Sequence, residues 1–236
     1  MSREAPVDSA SADRANWLQR WRDGRIGFHQ ATPSPLLVEF WETLGVPAGA
    51  RVFVPLAGKT VDMPWLAGRG HRVFGVELAP MAVAQFFEAL DPRFRGDDTD
   101  LVVTQTPKGT LTSAGPIDLL CGDVFALDEG DLADCAAVFD RAALIALPPD
   151  LRRRYAREAY ARLPSGCIGL LITLEYPPHE KQGPPFTVPE SEVRDLFARN
   201  WTLDVLARRD ILPCQAAFRE EGVTALSAVA YRMQRR

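Results

Sequence analysis

The sequence predicts an α/β fold in which βαβ units build a parallel sheet and two further strands close it. Three observations predict it. First, Arg51 to Leu78 (RVFVPLAGKTVDMPWLAGRGHRVFGVEL) reads as strand, glycine turn, helix, turn, strand, the signature of a right-handed βαβ unit. Second, later apolar runs at Ile117 to Cys121, Ala136 to Phe139 and Ile168 to Leu174 alternate with helical stretches, the pattern of further parallel strands. Third, Trp201 to Leu206 and Thr224 to Met233 supply two further, closing strands.

Ligands of such sheets bind beyond the carboxyl ends of the strands, which directs attention to Pro55 to Lys59 and to Glu77. Glu77 lies about twenty residues past the first turn, where α/β nucleotide sites place a carboxylate for ribose hydroxyls. A dinucleotide needs G-x-G-x-x-G so that backbone can approach a pyrophosphate, and only Gly58 is present, between Ala57 and Lys59. Gly58-Lys59-Thr60 imitates the end of a P-loop, but Phe53 stands where its first glycine belongs. What remains is a nucleoside without phosphates, a description that S-adenosylmethionine (SAM) meets. The competing reading of the pattern is an ordinary βαβ unit with an exposed Glu.

With 236 residues, 47% hydrophobic and 25% charged, the chain is long enough to bury a full core as one domain. A net charge of −4 and the lack of any dense Lys/Arg block argue against a nucleic-acid partner, because phosphate contacts dominate that affinity. Arg152-Arg153-Arg154 is the only basic triplet and reads as a solvated helix face. The four cysteines form no C-x-x-C pair, so reduced, mostly buried thiols in a cytoplasmic protein are expected, and no metal site is assigned. No stretch reads as a membrane helix or a signal peptide.

Along the chain, Met1 to Ala12 is polar and aperiodic and reads as a disordered tail, and a helix is expected from Asp13. Trp17 and Trp21 lie one turn apart on it, as a core-facing stripe or as a lid over a site. Gly24 to Gln30 is a glycine-flanked turn carrying Phe28 and His29. Such loops line pockets, and His29 is either a general base or a packing residue. Leu36 to Leu44 and the stretch opened by Pro80 are helical. Arg93 to Gly115 is turn-rich, with possible short strands at Leu101 to Gln105 and Thr110 to Thr112, and reads as an excursion from the sheet. Asp123 follows a strand and a glycine, where it can accept from an adenine amino group with Val124 beside the ring, or simply bond its own turn.

Arg141 ends an apolar strand and precedes Ala142 to Leu147, an odd place for a solubilising charge. Its guanidinium offers donors to an anion, or Asp140 and Arg141 serve only as cap and ion pair. Pro148 to Leu163 reads as an amphipathic helix. Glu175 to Pro189 carries five prolines, including Pro184-Pro185 before Phe186, and is either a substrate rim or a linker.

These segments together resemble the thiopurine S-methyltransferase family from about Trp17 to Tyr231. The carriers are WLQRW followed by GFHQ, VPLAGKTVDMPWLAGRGHRVFGVEL, CGDVF, FDRAALIALPP and ITLEYPPHEKQGPPFTVP, in order. The resemblance implies a class I SAM-dependent methyltransferase, a Rossmann-like three-layer sandwich with a seven-stranded sheet and an antiparallel C-terminal hairpin. Residues 13 to 47 would be a helical lid and 48 to 236 the catalytic core. By position it implies that Trp21 covers the cofactor, Leu56 touches it, Glu77 binds its ribose, and Asp123 and Val124 frame its adenine. Arg141 would lie near the methionine end and the reacting sulfur, with Phe28, His29, Pro185 and Phe186 in the substrate pocket. Ala57 and Thr60 stand where many relatives carry Cys and Ser, and the N-terminal tail is longer than in many bacterial members. The expected reaction is SAM-dependent methylation of an aromatic or heterocyclic thiol by a cytoplasmic monomer acting on small molecules. Methylation of selenium, tellurium, thiocyanate or halide species on the same scaffold is the nearest rival. A nicotinamide oxidoreductase and a non-catalytic SAM-binding protein are the more distant ones.

Overall fold

A computed structural model of the chain describes residues 9–95 and 101–236. Among the described residues nine strands form one sheet: β1 (Arg51–Val54), β2 (Arg72–Glu77), β3 (Val102–Thr106), β4 (Gly109–Ala114), β5 (Ile117–Gly122), β6 (Cys135–Arg141), β7 (Ile168–Glu175), β8 (Trp201–Asp210) and β9 (Ser227–Arg235). Their spatial order is β3-β4-β5-β2-β1-β6-β7-β9-β8. The five central strands, β5 to β7, run parallel, and β9 is antiparallel to both β7 and β8. Nine helices are described: α1 (Ser9–Arg22), α2 (Pro35–Phe40), α3 (Asp62–Gly68), α4 (Pro80–Ala89), α5 (Pro92–Arg95), α6 (Glu129–Leu132), α7 (Pro149–Glu158), α8 (Glu190–Phe197) and α9 (Ala216–Glu220).

The alternation of apolar runs buries both faces of the central strands. On one face Leu37, Met63, Leu66, Phe86 and Phe87 of α2, α3 and α4 pack on Val52, Val73 and Leu119. On the other, Leu132, Leu151, Tyr155, Val193 and Phe197 of α6, α7 and α8 pack on Phe53, Phe74 and Val138. That is the expected three-layer sandwich.

Three expectations change. Among the described residues the sheet has nine strands rather than seven, because the short strands expected near Leu101 to Gln105 and Thr110 to Thr112 do not leave the sheet: β3 pairs with β4, and β4 pairs antiparallel with β5. Their Thr and Ser residues lack the alternation that marks a half-buried strand, and every residue of β3 up to Gln105 is exposed. Gly109 permits the pairing. It sits at φ +141°, and a Cβ there would lie 2.0 Å from the Cys121 carbonyl oxygen. Second, α1 begins at Ser9, so Asp13 lies inside the helix. Of the expected tail, residues 1–8 fall outside the described residues. Third, Arg152 is not on a solvated face. It is 1% exposed, donates through Nε and Nη2 to the Leu147 carbonyl, and pairs with Glu192 at 2.5 Å. The helical period turns Arg152, Tyr155 and Ala156 inward while Arg153 and Arg157 face water.

Asp140 is wholly buried. Its carboxylate accepts from the Tyr155 and Tyr160 hydroxyls, both at 2.9 Å, and from the Leu144 N–H at 3.2 Å. Burial pushes its carboxyl up to about 6, against the opposing pull of these donors. Because the folded value lies above the unfolded one of about 3.9, the contribution of this group is fully present below that value and is lost as pH rises to about 6, a difference of roughly 2–3 kcal/mol. Asp140→Asn keeps the geometry, since its amide can donate to both hydroxyls while its oxygen accepts from Leu144. Urea titrations at a series of pH values should therefore show a shallower fall in stability between pH 4 and 6 in the variant than in the parent. Parallel curves would refute the assignment.

Candidate active site

Four strand ends meet at the carboxyl edge of the sheet. β1 runs into Pro55-Leu56-Ala57-Gly58, whose Ala57 N–H donates to the Val76 carbonyl at 2.8 Å, so the turn folds back over β2. β2 ends in Glu77, 6% exposed, whose two carboxylate oxygens accept from the Gly58 and Ala79 N–H groups at 2.8 Å each. These donors, one to each oxygen, fix the plane of the carboxylate, and the Leu78 amide stands beside them. Burial pushes the Glu77 carboxyl up, while the Ala79, Gly58 and Leu78 amides pull it back.

Gly58 has φ +57°, and a Cβ on it would stand 3.3 Å from the Trp21 indole. Trp21 is 4% exposed and belongs to a small cluster of its own with Ala79 and Ala82, outside both main cores. Trp21 is thus buried, though not in either main core, and its indole lies over the β1 turn. Phe28 packs edge-on against both Trp17 and Trp21, with centroids 5.7 Å apart in each case. The far end of α1 is tied across the crevice by Ser9 Oγ, which donates to Asp150 at 2.6 Å. Burial and the Asp150 charge push the Asp13 carboxyl up to about 6.

On the β5 side, Asp123 accepts from the Phe125 N–H at 2.9 Å and so caps its own turn, while Val124 is buried against Val76 and Leu120. On the β6 side, Arg141 separates from Asp140: its Nε donates to Asp62 at 2.9 Å. The residues following β1 and β6, Leu56 (φ +46°) and Ala142 (φ +70°), both hold left-handed backbone that side chains disfavour by about 1–2 kcal/mol. Two such residues on neighbouring strand ends mark a place where geometry outweighs relaxation.

His29 lies in the field of Lys59 and Arg141. Burial first, then those two charges, push its imidazole below the ordinary value. Lys59 Nζ donates to Gln85 at 2.9 Å. The proline-rich loop is fastened to the same edge. The Phe186 N–H donates to the Ile145 carbonyl and the Tyr176 hydroxyl to the Pro185 carbonyl, both at 2.7 Å. It is therefore held in place and not a free linker. The residue that sequence reasoning missed is Asp62, 1% exposed in the first turn of α3. Its signal was the one that singled out Arg141, a charge in an apolar stretch (Val61, Met63, Pro64, Trp65).

This edge fits an adenosyl group. A planar, backbone-held carboxylate can take hydroxyls, an indole closes over the turn, and no run of glycines provides for phosphate. Among known proteins, the model of the family described as thiopurine S-methyltransferase matches residues 12–236. The chain belongs to the thiopurine S-methyltransferase family. It is 54% identical over 221 residues to the thiopurine S-methyltransferase of Xanthomonas campestris pv. campestris (strain 8004), covering 93% of this chain and 97% of that one. It is 51% identical over 219 residues to the enzyme of that name from Bordetella pertussis, covering 93% and 97%. Among solved structures it is similar to a SAM-dependent methyltransferase from Anabaena variabilis (TM-score 0.63, 13% identity, 100% of this chain and 99% of that one). It is also similar to the 1,6-didemethyltoxoflavin-N1-methyltransferase of Burkholderia thailandensis with bound S-adenosylhomocysteine (TM-score 0.61, 18% identity, 99% and 92%). At those identities the likeness concerns the fold, and it is the class I methyltransferase fold. Seven of the nine strands, β5-β2-β1-β6-β7-β9-β8, make up the seven-stranded sheet expected of the family, and the β3-β4 hairpin is added at its edge.

In this thiopurine S-methyltransferase family member, Gly58→Ala should both strain the turn and lift Trp21. Unfolding free energy is expected to fall by about 1–2 kcal/mol and affinity for S-adenosylhomocysteine by roughly tenfold, which corresponds to about 1.4 kcal/mol. Thermal melting and calorimetry would check both, and unchanged binding would separate Trp21 from the cofactor site.

Proposed function

We propose that this chain transfers the methyl group of SAM to the sulfur of aromatic or heterocyclic thiols, thiopurines among them, giving a thioether and S-adenosylhomocysteine. Residues 13–47 act as a helical lid on a catalytic core formed by 48–236. The observation that carries the reading is the conjunction at one sheet edge of the phosphate-free Glu77 cradle and Arg141, within a family match that spans nearly the whole chain.

SAM supplies an electrophilic methyl on a sulfonium, already a strong leaving group. The chain's own work is then to bind, align and exclude water. Glu77 holds the ribose hydroxyls, Asp123 and Val124 frame the adenine, Leu56 touches the cofactor, and Trp21 covers it. Arg141 holds the acceptor sulfur as a thiolate at the reacting end. Its Nη groups have no hydrogen-bond partner among the described residues, so they remain available to an anion. An easily ionised thiol reaches the site without its proton, so no dedicated base is required. His29, whose imidazole is pushed toward the neutral form, can take the proton from a less acidic one. Phe28, Pro185 and Phe186 supply the apolar walls for an aromatic ring.

The net charge of −4 supports small-molecule acceptors over nucleic acid, and we place the enzyme in the cytoplasm as a monomer. Among the described residues no helix is long and apolar enough to cross a membrane. The test is incubation of purified protein with methyl-labelled SAM and separate acceptors: aromatic thiols, selenols, tellurium oxyanions, thiocyanate and halide. Label on the thiols is the expected result. Label confined to the other acceptors, or none despite cofactor binding, would overturn it.

A further inference from the structure

The Asp62 carboxylate joins three parts of the chain that lie far apart in sequence. One oxygen accepts from the Ser34 N–H at 2.7 Å. The other accepts from the Thr60 hydroxyl and from Arg141 Nε, both at 2.9 Å. Ser34 ends the loop that carries Phe28 and His29, Thr60 belongs to the β1 turn beside Gly58, and Arg141 ends β6. The carboxylate is 1% exposed and the arginine side chain 16%, so water competes little for either.

We propose that Asp62 is a positioning residue that aims Arg141 at the acceptor and locks the substrate loop in register with it. The inference rests on the reading of Arg141 given above. An arginine reaching into a crevice from a strand end has several rotamers, and one hydrogen bond at Nε fixes the plane of the whole guanidinium. With Nε engaged by Asp62, the two Nη groups form a fork directed away from that carboxylate. Asp62 touches neither cofactor nor acceptor and acts only through the groups it holds.

Asp62→Asn separates the two ties. Its side-chain oxygen can keep the Ser34 N–H, which places its NH2 group against the Arg141 Nε–H, donor facing donor, and releases the guanidinium. The expected result is a fall in kcat on the order of tenfold to a hundredfold with an aromatic thiol, while the dissociation constant for S-adenosylhomocysteine stays within about twofold by calorimetry. In a double-mutant cycle, Asp62→Asn combined with Arg141→Ala should be no slower than Arg141→Ala alone, a non-additivity that a general loss of structure does not produce. Arg141→Lys provides a second route should Asp62→Asn fold poorly. Its ammonium still neutralises Asp62 but has no second arm for the acceptor, so kcat should fall as far as in Arg141→Ala with the melting temperature retained. Independent, multiplying effects in the cycle, or parental turnover in Asp62→Asn or Arg141→Lys, would overturn the proposal. Parental turnover in Arg141→Ala would instead overturn the reading of the site on which it rests.

Discussion

Arg141→Ala should lower turnover with an aromatic thiol on the order of a hundredfold and at the same time destabilise the fold. The first effect follows from the loss of a preorganised donor pair at the point where the acceptor's negative charge must be held, and single donors of that kind carry factors of about 10² to 10³. The second follows from Asp62, which is 1% exposed and would be left as a buried carboxylate with only a hydroxyl and an amide beside it. Removing one partner of a buried ion pair costs about 3–5 kcal/mol, where removing both costs far less. Unfolding curves should therefore show Arg141→Ala less stable than the double variant Arg141→Ala with Asp62→Asn, although both are poor enzymes. Affinity for S-adenosylhomocysteine should change much less than turnover. A variant with parental kcat would remove Arg141 from the chemistry, and one with parental stability would mean that water enters and solvates Asp62.

Glu77 shows the opposite division. Glu77→Ala should weaken S-adenosylhomocysteine binding by roughly a hundredfold, because two hydroxyl hydrogen bonds to a charged acceptor contribute about 1.5 kcal/mol or more each. Turnover at saturating SAM should fall far less, since the lost contacts bind ground state and transition state alike. Truncation also strands the Gly58 and Ala79 N–H groups, so part of the loss is reorganisation of the turn. Glu77→Gln controls for this: its amide oxygen can retain one of the two backbone donors, while the charge is gone. Calorimetry on both variants, with kcat measured at high SAM, checks the split. A fall in kcat with unchanged affinity would place Glu77 in the chemistry instead of the ribose site.

The segments that the sequence made legible share one property: their identity is written in neighbouring residues. Arg51 to Leu78 carries a strand, a glycine turn, a helix and a carboxylate within reach of one another along the chain, and it folds into β1, α3 and β2 as that pattern requires. The β3-β4 hairpin was misplaced because threonine-rich strands exposed along an edge carry no periodic apolar signal, while their pairing depends on a close approach at Gly109 to a carbonyl twelve residues away. Arg152 read as surface because charge is a poor guide once a side chain finds a carbonyl and a glutamate forty residues distant.

By itself the sequence determined the parallel core and the segments that end at one edge of it, the β1 turn, Glu77 and Arg141, since local period and turn chemistry dictate these. Only the tertiary structure decided how the charges are spent. Asp140 turns into the core onto two tyrosines, whereas Arg141, its neighbour on a strand whose side chains alternate, turns to Asp62, 79 positions earlier. Adjacent residues of opposite sign look like a pair in one dimension. The pleat of the strand sends them to opposite faces, and which carboxylate waits on the far side depends on how α3 packs against the sheet.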